Sequence, residues 1–253
     1  VSLGTAASTE VDYSIESPNG SAANTLDVEA ADPGVAEIVS TTVRTQPAAQ
    51  EGDLEVAATV ENIGDLNATG ETVTLEYLNA SGVTDTNSTN VLEPGATTTL
   101  TLTVTPPSEP RAGIFDRVVE VRSNATTITR TVPVDFEGIQ SGIAEADADE
   151  TVEIAEGTFE PRNEIVVDTE GVELAAADPT DRPTIESPRQ SDTLVTVEAE
   201  DIRLSDLRID GDGTGPGVVL DANNTTVRNV RISNTSTGID EADGTNRISR
   251  ATV

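Results

Sequence analysis

A repeat of little more than twenty residues sets the tightest limit on how this chain can fold. Leu204-Ser205-Asp206-Leu207-Arg208-Ile209 matches Val227-Arg228-Asn229-Val230-Arg231-Ile232 at an offset of 23, and Gly217-Val218 recurs as Gly238-Ile239 at an offset of 21. A unit that short cannot bury an apolar face alone, so it must stack on its own copies. Within each unit apolar and polar residues alternate, which is the two-residue period of a strand. The pattern predicts a β-solenoid with coils of about 20 to 25 residues and three short strands per coil. A second sandwich would also give alternating strands, but not this repeat. By the offset, Asp206 should lie over Asn229, Arg208 over Arg231 and Asp210 over Ser233, all facing out. Leu207, Ile209, Val230 and Ile232 should face in.

The rest of the chain also reads as β structure, so the fold class is all-β. Thr and Val dominate, and Gly and Pro punctuate at short intervals. Three segments follow. Residues 1–35 are rich in Ala, Ser and Asn, and read as an extension or linker with one strand, Val11–Glu16. Residues 36–136 carry seven strand candidates: Ala36–Thr45, Leu54–Asn62, Glu71–Leu78, Asn90–Leu92, Thr97–Val104, Asp116–Ser123 and Thr127–Val134. Short strands with turns every 8 to 12 residues suggest an immunoglobulin-like sandwich. Residues 137–253 hold the repeat, preceded by a short amphipathic helix with Ile139, Ile143 and Ala146 on one face.

Local motifs sharpen both halves. The first half places Gly52-Asp53 before a strand, closes that strand with Val60-Glu61-Asn62-Ile63-Gly64-Asp65, and opens another with Leu92-Glu93-Pro94-Gly95-Ala96-Thr97-Thr98-Thr99, running on to Val104. These marks resemble the CARDB family, a cell-adhesion-related sandwich of prokaryotic surface proteins, over about 100 residues. The resemblance implies a fold and carries no catalytic residues. In the second half, Glu150-Thr151-Val152-Glu153-Ile154-Ala155-Glu156-Gly157-Thr158-Phe159 follows the helix. It resembles the start of a right-handed parallel β-helix of the pectate-lyase-like superfamily, with Asp149 displaced by one residue and Phe159 where that family has Tyr. Ile165-Val166-Val167 and Gly171-Val172-Glu173-Leu174 continue the pattern. About four coils fit. The last stretch, Ile248 to Val253, reads as the start of a strand with no polar cap, so the chain is either cut from a longer one or docks that end on something.

Composition narrows the function classes. There are 46 acidic and 14 basic residues, a net charge of -32, and every basic residue is arginine. Such charge repels itself in ordinary buffer. In molar salt the Debye length falls to about 3 Å and the repulsion is screened. The acids are interleaved with regular apolar patterns rather than run together, which argues for a folded protein of an extreme halophile, haloarchaeal in type, over a disordered acidic tail. The charge also argues against a nucleic-acid partner. Without Cys or His there is no disulfide, thiolate site or imidazole base, and without Lys no Schiff base. No stretch is apolar for the roughly 20 residues that a membrane span needs. The chain opens on Val1 and contains no Met, which reads as a mature product or as a fragment that begins after a removed signal or anchor. Asn-X-Ser/Thr sequons at Asn19, Asn67, Asn79, Asn87, Asn124, Asn224 and Asn234, with Asn223 overlapping Asn224, point to an extracellular glycoprotein.

The residues with the most chemical character lie on the repeat. Asp206, Arg208, Asp210 and Arg231 would share its outer face. The pectate-lyase-like resemblance implies what such residues could do: lyases use Asp-bound Ca²⁺ with an Arg or Lys base, and hydrolases use clustered Asp. Asp210 and Asp212 flank glycines and are candidate Ca²⁺ ligands. The same residues also suit a solvated face of weak ion pairs and a Gly-rich turn. Sugar-processing β-helices hold rings on aromatic faces, and here Tyr13, Tyr77, Phe115, Phe136 and Phe159 all fall away from this patch. The expectation is therefore a non-enzymatic structural or adhesive surface protein, such as a filament subunit. Its partners would be further copies, other surface proteins or glycans, and it would need no cofactor. The alternative is a carbohydrate-active lyase or hydrolase, or its binding part.

Overall fold

The computed structural model describes residues 9–17, 20–28, 31–50, 52–136, 138–187, 193–242 and 244–253, with the backbone alone for 9–17 and 20–28. The fold is all-β, with one seven-residue helix among the described residues. It divides into two compact units. The first takes Val1–Thr45, Leu54–Val104 and Val118–Arg130; the second takes Gln46–Asp53, Thr105–Arg117 and Thr131–Val253. Three short segments from before residue 137 thus count with the solenoid, a division the sequence pattern does not mark.

The first unit opens with a hairpin, β1 (Thr9–Ser17) and β2 (Gly20–Val28), paired along its whole length. The sequence announces only the first of these strands. Gly20-Ser21-Ala22-Ala23-Asn24 lacks the branched and aromatic residues that signal strand, and pairing with β1 overrides that lack. Further along the chain come β3 (Ala36–Val43), β4 (Ala48–Ala49), β5 (Leu54–Asn62), β6 (Thr72–Tyr77), β7 (Thr84–Ser88), β8 (Thr97–Val104), β9 (Arg111–Arg122) and β10 (Thr127–Phe136). One antiparallel sheet has the order β3-β5-β8. In another, β6 is flanked by β7 and by Val119–Arg122 of β9. Alternation delivers the core: Leu54, Val56, Ala58 and Val60 of β5, Leu100, Leu102 and Val104 of β8, and Val73, Leu75 and Tyr77 of β6 are buried.

The strand expected at Asn90–Leu92 is a single bridge, Ala68 to Leu92. The strand proper is β7, whose Thr84-Asp85-Thr86-Asn87-Ser88 carries no apolar residue. β7 pairs β6 on one side only, at the edge of its sheet, so no apolar face is needed and the sequence shows none.

Asn62 explains why the two motifs of this unit coexist. Its side chain is fully buried. Its Nδ2 donates to the carbonyls of Leu66 (2.8 Å) and Leu92 (2.9 Å), and its Oδ1 accepts from the Val35 (3.2 Å) and Gly64 (3.1 Å) amides. Its main chain bonds Ala96 and Gly95. The strand-closing Val-x-Asn-x-Gly and the strand-opening Leu-x-Pro-Gly are thus two sides of one hydrogen-bonded joint. Gly64 is required because a Cβ there would run into the Pro33 carbonyl.

The second unit is the solenoid. Helix α1 (Ile139–Glu145) precedes it and buries Ile139, Gly142 and Ile143. Thirteen short strands follow: β11 (Thr151–Ile154), β12 (Thr158–Phe159), β13 (Ile165–Val167), β14 (Glu173–Ala176), β15 (Thr184–Glu186), β16 (Val195–Val197), β17 (Arg203–Ser205), β18 (Arg208–Asp210), β19 (Pro216–Leu220), β20 (Thr226–Arg228), β21 (Arg231–Ser233), β22 (Thr237–Glu241) and β23 (Arg247–Ser249). They stack in three parallel ladders: β11-β14-β17-β20-β23, β12-β15-β18-β21 and β13-β16-β19-β22. That makes about four turns. Thr151 pairs with Glu173, 22 residues on; Glu173 with Arg203, 30 on; Arg203 with Thr226, 23 on; and Thr226 with Arg247, 21 on. The long second coil has seven residues between β14 and β15, where the first coil has three between β11 and β12. Inward columns such as Val152-Leu174-Leu204-Val227 and Ile185-Ile209-Ile232 are fully buried.

Residues with positive φ mark the corners. Asp149, Gly171, Asp201 and Asn224 each sit two residues before a strand of the first ladder, at φ 58 to 77°. Asp206, Asn229 and Arg250 occupy the two-residue corner between the first and second ladders, at φ 55 to 59°. Asp, Asn and Gly tolerate this left-handed geometry best, so their recurrence is a requirement of the turn. At the start of the solenoid, Glu153 and Ile154 of β11 pair with Arg111 and Ala112 of β9, and α1 packs against β11. This pairing is why β9 begins five residues before the expected Asp116.

Candidate functional site

The face picked out by the repeat is built as the offset requires. Arg208 pairs with Arg231 and Asp210 with Ser233 across β18 and β21, and both arginines are exposed. Leu207, Ile209, Val230 and Ile232 are buried beneath them. Asp206 differs from the expected outward strand residue: it lies in the corner, half-buried, where its Oδ1 accepts from the Asn229 side chain directly above. Its Oδ2 is 3.8 Å from Arg228, a loose ion pair. Asp210 accepts from Ser233 Oγ at 3.0 Å and from Asn234 Nδ2 at 2.7 Å. Asp212 accepts from both the amide (3.0 Å) and the hydroxyl (2.6 Å) of Thr214, two residues on, which is an Asx turn.

These bonds define what the face does. Its carboxylates tie each coil to the next or close a turn. Among the described residues, no group of three or more acidic side chains gathers to hold a metal, and Asp210 and Asp212 each have hydrogen-bond partners of their own. Arg208 and Arg231 are different: neither forms an ion pair among the described residues.

Two cavities in the second unit have no counterpart in the sequence pattern. One, of about 580 Å³, lies between the start of α1 and the first coil, lined by Ile139, Phe159, Pro161, Arg162 and Asn163. The other, of about 660 Å³, is an open groove lined by Ile114, Phe115, Glu156 and Asp178. Beside it three carboxylates crowd together. A hydrogen bond to Asp181, and the charge of Asp181, hold the Glu156 carboxyl above the ordinary carboxylate range. The Thr180 amide holds Asp178 below it. Phe115 meets Phe136 edge to face at 5.7 Å, with Arg111 and Arg117 over the rings. Phe115 and Phe136 are thus spent on a local cluster.

The sequons at Asn67, Asn79, Asn87, Asn124, Asn224 and Asn234 are all exposed, and Asn19 lies outside the described residues. Their amide nitrogens, the atoms a glycan would join, differ. Those of Asn87, Asn124 and Asn234 donate to Thr101, Glu71 and Asp210. Among the described residues, the Asn79 and Asn224 side chains engage through their oxygens, which accept from the Val118 amide and the Thr245 hydroxyl.

No protein-family model matches the chain, and no curated protein does. Solved structures with partial similarity include a β-glucosidase of intestinal bacteria involved in saponin metabolism, 11% identical with a TM-score of 0.28 over 43% of this chain and 17% of that one. Another is the β-glucosidase of Listeria innocua in complex with glucose, 18% identical with a TM-score of 0.28 over 42% and 16%. The chain spans about a sixth of the length of these enzymes. At such TM-scores the likeness says nothing about what this chain does.

Proposed function

We propose that this chain is an extracellular structural and adhesive glycoprotein of an extreme halophile, a CARDB-type Ig-like sandwich joined to a right-handed parallel β-helix. The carrying observation is that Asp206, Asp210 and Asp212, the acids best placed for chemistry, are occupied in tying coils and turns together. The motif joint at Asn62 and the two antiparallel sheets of the first unit support the sandwich reading. The excess of 46 acids over 14 arginines supports the saline habitat. Partners on this reading are further copies or other surface proteins, with no Ca²⁺ needed. The second reading, a carbohydrate-active protein, keeps Arg208 and Arg231 as its carriers because both are exposed and lack an acidic partner among the described residues.

The test is made on native cells. Antibody to the solenoid should label intact cells in molar salt, and mass spectrometry should find glycans at Asn79 and Asn224 ahead of Asn87, Asn124 and Asn234. Label found only after lysis, with every sequon bare, would overturn the reading. Release of unsaturated uronate products that is lost in Arg208→Ala would establish the second reading instead.

A further inference from the structure

Half of the chain's 14 arginines belong to the corner between the first and second ladders or its flanking strands. Arg203, Arg208, Arg228, Arg231, Arg247 and Arg250 are exposed over the last three rungs, and Arg182 reaches the same corner by donating to the Asn229 carbonyl. Against all six exposed arginines, the acids among the described residues supply one loose contact, Asp206 with Arg228 at 3.8 Å. In a chain with 46 carboxylates that is an unusual shortage of partners. The same corner over the first two coils has the opposite sign. There Glu156, Asp178 and Asp181 are exposed and crowd one another beside the open groove, which is also lined by the exposed Ile114.

We infer that this corner is a self-complementary docking strip, on which a second copy of the chain binds antiparallel, its arginine end against the acidic end of the first. The inference rests on the reading of the chain as an assembling surface protein, and names the surface. Because both ends belong to one solenoid, they share one pitch, about 4.8 Å per rung. Five rungs span roughly 20 Å, so a two-fold axis near the third rung sets acid on arginine at both ends. Such a contact is isologous and closes at two chains. It survives in molar salt because arginine–carboxylate contacts of about 2.8 Å are no longer than the Debye length there. An arriving guanidinium would also relieve the crowding that raises the Glu156 carboxyl.

The test is sedimentation equilibrium of the full chain in molar KCl, with circular dichroism as the check on folding. The wild type should reach twice the chain mass. Arg231→Glu/Arg250→Glu sets acid against acid at both ends of the pairing, and Glu156→Arg/Asp181→Arg sets arginine against arginine. Each should weaken self-association at least tenfold with the spectrum unchanged, and an equal mixture of the two should recover a two-chain species. A monomeric wild type, a charge-reversed variant that pairs as the wild type does, or a mixture that stays monomeric overturns the inference. Surface labelling and glycans decide the proposed function separately, so either can fail without the other.

Discussion

Replacing Asn62 with alanine should cost more than any other polar substitution in the first unit. The side chain satisfies four main-chain groups, those of Val35, Gly64, Leu66 and Leu92. The bonds to Gly64 and Leu92 are buried, and the other two are partly so. A buried group left unpaired costs about 1–3 kcal/mol. Two such groups, with a smaller share for the partly buried pair, give roughly 4 kcal/mol. At about 4 °C per kcal/mol for a unit of this size, the melting point of this unit should fall by roughly 15 °C. The assay is a thermal melt in molar salt, followed by circular dichroism. Asn67→Ala is the control, since that residue is exposed and its side chain makes no hydrogen bond in the structure. Asn62→Asp should also destabilise, because the two carbonyls would then face an acceptor. If Asn62→Ala melted within about 3 °C of the control, the joint between the two motifs would not hold the unit together.

Two further substitutions probe the second unit. Gly142→Ala on α1 places a Cβ 2.7 Å from the Arg111 carbonyl and 2.9 Å from Val152; overpacking of about 1–3 kcal/mol should exceed the roughly 1 kcal/mol gained in helix propensity, so the melt should fall, and a rise would refute the tight seat of the helix. Glu156→Gln tests the crowded carboxylates by pH. For a carboxyl raised in the folded state, the native protein holds the extra proton, so stability is greatest below the unfolded value of 4.5 and is lost as pH rises through the folded one. The variant should therefore melt above the wild type at neutral pH, with the gap closing as pH falls towards 4.5; a gap independent of pH would refute the crowding.

The solenoid was legible because its rule is local and repeated. Leu204-Ser205-Asp206-Leu207-Arg208-Ile209 and its copy pair in the register their offset of 23 requires. The hairpin partner Gly20–Val28 and the strand Thr84–Ser88 were illegible for the same physical reason. Each takes its strand form by pairing with a neighbour, and their residues carry little apolar pattern. The pairing of Arg111 and Ala112 with β11 was hidden because the contact joins residues some 40 positions apart and uses no distinctive side chain.

At the candidate site the departure from expectation is confined to the corner. Asp206 and Asn229 were singled out or placed by the repeat as outward polar residues, yet what they share is φ near 57°, a conformation these two residue types tolerate well. Corner residues of a solenoid recur because the turn recurs. A stack of Asp and Asn at one coil period therefore looks chemical when it is conformational. Arg208 and Arg231 escape this explanation, since their strand geometry accepts any side chain and no neighbouring acid claims them. The two strand arginines of this repeat thus have no acid among the described residues, while Glu156, Asp178 and Asp181 crowd one another at the other end of the same corner.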